Sequence, residues 1–93
     1  MRTYELVYII KPNDEEVTNA IIAKFENLIK THGGVIEKLD RWGKKRLAYE
    51  INDLTEGYYV LVHFTSEPPV VRELERVIKI TDEVLRHLLV VKE

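Results

Sequence analysis

Five consecutive residues, Trp42-Gly43-Lys44-Lys45-Arg46, set a large aromatic ring and a flexible glycine beside three adjacent cations. Successive cations can displace the counterions of a nucleic-acid backbone and fix its orientation without reading bases. Lysines on an edge strand also deter strand-to-strand aggregation, a use that needs no ligand. Elsewhere the chemistry is sparse. With no cysteine, thiolate catalysis and disulfides are excluded. His32, His63 and His87 are scattered, and no two have metal-ligand spacing, so no metal site is expected. His63 could serve as a base, but a histidine on a half-exposed strand is ordinarily an amphipathic surface residue. Ser66, the only serine, stands before two prolines, where helix capping explains it, and no nucleophile elbow surrounds it. Gly33 and Gly34 follow a helix instead of opening one, the wrong end for anion binding. Asp14, Glu15 and Glu16 read as a solvated helix start. These residues do not converge on a reaction, and no cofactor is expected.

The elements that must position these residues are legible from periodicity. Arg2 to Lys11 alternates, with Tyr4, Leu6, Tyr8 and Ile10 on one side and Thr3, Glu5, Val7, Ile9 and Lys11 on the other. The first set should face the core and the second should face outward. This opening superficially resembles a signal peptide, but Tyr4 and Glu5 interrupt its apolar run and no small-residue cleavage site follows. After Pro12, either Asn13 or Asp14 caps a helix whose buried stripe is Val17, Ile21, Phe25, Leu28 and Ile29, closed by Gly33-Gly34. Val35 to Ile51 favours a strand, but the Trp42 to Arg46 run breaks its alternation, which predicts a bend or bulge. A turn over residues 52–57 leads to a strand over Tyr58 to Thr65, with Tyr58, Val60, Val62 and Phe64 inward and Tyr59, Leu61, His63 and Thr65 outward. Ser66 is expected to cap a second helix that accommodates Pro68 and Pro69 in its first turn and buries Val71, Leu74, Val77 and Ile78. A last strand runs from Val84 through Lys92, with its phase left open between the Leu85, His87, Leu89, Val91 set and the Arg86, Leu88, Val90 set.

The order is β-α-β-β-α-β, the split arrangement of ferredoxin-like α+β domains. It predicts a four-stranded antiparallel sheet with strands one and three central and both helices on one face. At 93 residues and 45% hydrophobic, the chain is read as one domain over 1–93 with one core. No segment reaches membrane-spanning length. The net charge of −2 argues against bulk polyanion coating and leaves room for a local basic site. An open sheet face in this topology can stack RNA bases on outward aromatics of the central strands. Here only Tyr59 points outward, opposed by Glu5 and Val7, which makes a poor stacking platform.

Four segments, Met1-Arg2-Thr3-Tyr4-Glu5, Trp42-Gly43-Lys44-Lys45-Arg46-Leu47-Ala48-Tyr49, Gly57-Tyr58-Tyr59 and Asp82-Glu83-Val84-Leu85-Arg86, together resemble the bacterial small-subunit ribosomal protein S six family, in order and across essentially the whole chain. The resemblance implies a cytoplasmic structural component of the ribosomal small subunit, without catalysis, that joins ribosomal RNA as a heterodimer with ribosomal protein S eighteen. Carried over by motif, Arg2, Lys44, Lys45, Arg46 and Arg86 become the candidates for ribosomal RNA contact, while Tyr4 stays a core residue. An outer face with Val7, Ile9, Tyr59 and Leu61, beside Trp42, is costly to leave wet and is read as the protein-partner surface. The free chain is expected to be a monomer. A rival reading, a ligand-binding regulator or enzyme made from a dimer of this fold, lacks a convergent polar set to line its cavity.

Overall fold

The computed structural model describes residues 1–51 and 53–92. The element order is β1 (Arg2–Ile10), α1 (Glu15–Thr31), β2 (Val35–Ile51), β3 (Leu54–Ser66), α2 (Pro68–Lys79) and β4 (Val84–Lys92). The sheet order is β2-β3-β1-β4, antiparallel at every pairing, so the first and third strands are central as the topology rules require. The strict alternation of β1 sends Tyr4, Leu6, Tyr8 and Ile10 under the helices, where each is buried. Val60, Val62 and Phe64 do the same from β3, and Phe25, Ile29, Leu74 and Ile78 meet them from the helices. Phe25 contacts Tyr8 edge-on at 5.1 Å, and Tyr4 stacks on Phe64 at 5.5 Å between ring centroids.

Asp14 is the cap of α1: its Oδ1 accepts the Val17 amide at 2.9 Å. The cap of α2 is Glu67, not Ser66. Ser66 is the last residue of β3 and is 1% exposed, and its hydroxyl donates to the carbonyl of Glu67. Pro68 and Pro69 hold the first turn, where amides lack helical acceptors, so no side-chain cap is required. The expected turn over residues 52–57 is also shorter. Leu54 to Gly57 pair with β2 as part of β3, and Asp53 turns the chain with φ 64°, while Asn52 lies outside the described residues. A tight hairpin tolerates the polar Thr55 and Glu56 within a strand because both are exposed there.

The phase of β4 is set by its contacts. Leu89 packs against the core, and His87 Nε2 lies 3.2 Å from Glu75 of α2, so both face the helices. Arg86, Leu88 and Val90 therefore lie on the open face.

Tyr8 carries one polar cost inside this core. Its ring is fully buried and, among the described residues, its hydroxyl has no hydrogen-bond partner. Burial pushes the phenol well above its ordinary value, and the positive charge of Arg41 opposes this only in part. A folded-state value above the unfolded one means stability present below about pH 10 and lost as pH rises past it, because the unfolded chain ionises first. Tyr8→Phe is accordingly expected to stabilise the chain by about 1 kcal/mol at neutral pH. It should also flatten the alkaline decline above about pH 10, by roughly 1.4 kcal/mol per pH unit relative to wild type. Urea denaturation at pH 7 and pH 11 measures both.

Candidate nucleic-acid and protein interface

The chemistry-bearing run sits on the edge strand, and a bulge sorts its residues between the two sides. Pairing advances from Arg41 opposite Val60 to Gly43 opposite Tyr59, so Trp42 is an extra residue in β2. Gly43 adopts φ 82°, a left-handed conformation that a side chain would strain. Beyond the bulge, Lys44 stands opposite Tyr58, Lys45 opposite Gly57 and Arg46 opposite Glu56. Even-numbered β3 positions face the helices, so Arg41, Lys44 and Arg46 belong to the helix side. Arg41 bears this out by donating from Nη1 to Oδ1 of Asn19 in α1 at 2.6 Å. Lys45 belongs to the open side and lies 5.3 Å from the Trp42 ring, which stacks on Tyr59 at 6.4 Å. The run is thus two basic surfaces around one sheet edge.

On the open side the end of β2 curls over the sheet. Leu47 is buried and packs above Gly57: a Cβ at position 57 would stand 3.4 Å from Leu47 Cδ2 and would clash with Ile9 Cγ2. The curl leaves a groove of about 300 Å³ among Val7, Ile9, Tyr49, Tyr59 and Leu88, with Arg86 at its rim 5.5 Å from the Tyr49 ring. Four large side chains stay wet along this surface: Leu88 (64% exposed), Tyr49 (58%), Trp42 (45%) and Val90 (40%). Toward the other end of the face, Glu5 Oε2 accepts from His63 Nε2 at 2.7 Å and lies 3.9 Å from Lys92, a polar cluster beside the apolar groove.

The residues expected at the site are thus unequally placed. Val7, Ile9 and Tyr59 are half-buried on the open face, and Trp42 lies at its edge. Leu61 is on the same face but only 9% exposed, because it occupies the middle of a central strand between Val7 and Asp40. It supports the surface more than it presents it. Arg86 faces the groove in the row Gly43, Tyr59, Ile9, Arg86. Arg2 pairs with Ser66, seven residues along β1 from Ile9, or roughly 23 Å away. The five cations therefore form no single patch. Sequence reasoning missed Tyr49, Leu88 and Val90, and it left Arg41 off the site. The alternation of Leu88 and Val90 was visible, but the neighbours that fix its phase were not.

Three comparisons bear on this architecture. The family model described as "Ribosomal protein S6" matches residues 3–91. The chain belongs to the ribosomal protein S6 family. It is 52% identical over 90 residues to small ribosomal subunit protein bS6 of Moorella thermoacetica, covering 96% of this chain and 92% of that protein. It is 47% identical over 94 residues to the bS6 protein of Heliobacterium modesticaldum, with 100% and 98% covered. The crystal structure of 30S ribosomal protein S6 from Thermotoga maritima superposes with a TM-score of 0.92 at 31% identity, over 98% of this chain and 87% of that one. A solution structure of the C-terminal domain of the Mycobacterium tuberculosis MgtC protein shares the fold alone, with a TM-score of 0.70 at 10% identity. Membership of the S6 family makes the chain a small-subunit ribosomal protein and a resident of the cytoplasmic ribosome. No helix among the described residues is long and apolar enough to cross a membrane.

Proposed function

We propose that the chain is a non-catalytic structural constituent of the bacterial small subunit that binds ribosomal RNA together with ribosomal protein S eighteen. It acts as a single domain over 1–93 and is a monomer when free. The observation that carries this reading is the pairing of a wet apolar face with unpaired cations at its border. Leu88, Val90, Tyr49 and Trp42 give a protein partner something to bury; Lys45 and Arg86 border that face, Arg46 flanks the same edge from the helix side, and none of the three forms an ion pair among the described residues. A net charge of −2 suits a basic partner. Arg2, at the far end of β1, is a separate phosphate contact in this reading, and Lys44 reaches RNA from the helix side.

The test is RNA affinity of the protein–partner pair. Replacing Lys45, Arg46 and Arg86 together by alanine should weaken binding roughly 100-fold at low salt and reduce the slope of log K against log salt by about 2 to 3. An unchanged affinity and slope would remove the rim from the RNA site.

A further inference from the structure

The helix side of β2 holds a second concentration of charge, a cavity of about 320 Å³ lined by Asn13, Glu15, Thr18, Asn19, Arg41, Lys44 and Tyr58. The bulge creates it. Arg41 and Lys44 are three residues apart, so regular alternation would point them to opposite sides of β2. With Trp42 as the extra residue, both stand opposite inward-phased β3 positions, Val60 and Tyr58, and reach the same cavity.

Its hydrogen-bonding inventory is one-sided. Neither Arg41 nor Lys44 forms an ion pair among the described residues. Arg41 Nη1 occupies Oδ1 of Asn19 at 2.6 Å, which fixes that amide and leaves its NH₂ group for a ligand. One Asn13 N–H is committed to the carbonyl of Lys11. The Tyr58 hydroxyl, the Lys44 ammonium and the rest of the Arg41 guanidinium remain as donors, against one carboxylate, Glu15. A donor-rich cavity takes an acceptor-rich ligand. Two cations and one carboxylate leave a single net positive charge, which matches the one negative charge of a phosphodiester better than the roughly −1.5 to −2 of a terminal phosphate.

We propose that this cavity holds one backbone phosphodiester of the bound RNA, with Arg41 and Lys44 as its cations and the Asn19 amide and Tyr58 hydroxyl as neutral donors. The inference rests on the RNA-binding reading above and adds a contact on the side of β2 opposite Lys45. The RNA backbone then passes around the free edge of the sheet, held from both sides, while the open face is left to the protein partner.

The double variant Arg41→Gln with Lys44→Gln should lower the RNA affinity of the protein–partner pair about tenfold and reduce the salt slope by about 1. Glu15→Gln should raise affinity a few fold, because it removes the one carboxylate that lines the cavity among the described residues. Lys44→Gln alone breaks no side-chain hydrogen bond among the described residues and keeps the test independent of folding; it should give about half the slope change. Wild-type affinity and slope in the double variant, with the Lys45, Arg46 and Arg86 variant still impaired, would overturn the cavity and leave RNA binding standing. An equal loss of affinity for the isolated protein partner would assign the cavity to that partner and overturn the phosphate. A wild-type pair that binds no RNA would sink both readings.

Discussion

Gly57→Val is expected to destabilise the chain by about 3 kcal/mol, lowering its melting temperature by roughly 15 °C. Position 57 is buried where the curled end of β2 crosses the open face, and any Cβ there clashes with Ile9 Cγ2. That methyl is attached to a branched carbon in a paired strand, so it cannot swing aside as the tip of a long side chain would. Leu47 is the second obstacle, and the carbonyl of Ile10 at 3.6 Å limits retreat on the backbone side. Relief has to come from lifting β2 off the sheet, which would wet Leu47 and Ile9 and open the groove. Thermal denaturation by circular dichroism gives the magnitude. A shift under about 3 °C would mean that the curl is not packed as described.

Replacing Leu88 and Val90 together by aspartate should abolish partner binding, with a loss of at least about 100-fold, while changing stability little. Both side chains are exposed on β4, at 64% and 40%, and neither belongs to the core cluster. Surface changes away from packing features usually stay within about 0.5 kcal/mol in stability. In a bound interface, however, the same carboxylates would be desolvated against apolar surface without a counter-charge, which costs several kcal/mol. Calorimetric titration of the variant with the partner protein reads the loss directly.

Much of this fold is written into local pattern. The alternation in β1, the 3.6-residue stripe of α1 and the proline pair opening α2 each name their own element, and the β-α-β-β-α-β order restricts the sheet to the arrangement found. What the pattern could not carry was anything decided by a distant neighbour. Ser66 has the chemistry of a cap, but two prolines already solve the first turn of α2, so its hydroxyl is buried at the end of β3 instead. Leu61 alternates as an outward residue, yet a central strand flanked on both sides covers it. The basic run announced that charge mattered at the edge strand. Alternation alone sends the adjacent Lys44 and Lys45 to opposite sides of the strand, but nothing in the run shows that a one-residue bulge at Trp42 brings Arg41 round to join Lys44. Register in three dimensions, not residue type, separates the cations of this edge from one another.

The central claim is a division of labour: the open face binds protein and the rim binds RNA. It is tested most directly by measuring both affinities for both variants. The Leu88→Asp, Val90→Asp chain should lose the partner protein. The Lys45→Ala, Arg46→Ala, Arg86→Ala chain should bind that partner within a few fold of wild type, yet lose RNA once paired, with a shallower salt dependence. Loss of the partner by the rim variant to the same degree as by the face variant, or retention of the partner by the face variant, would contradict the account.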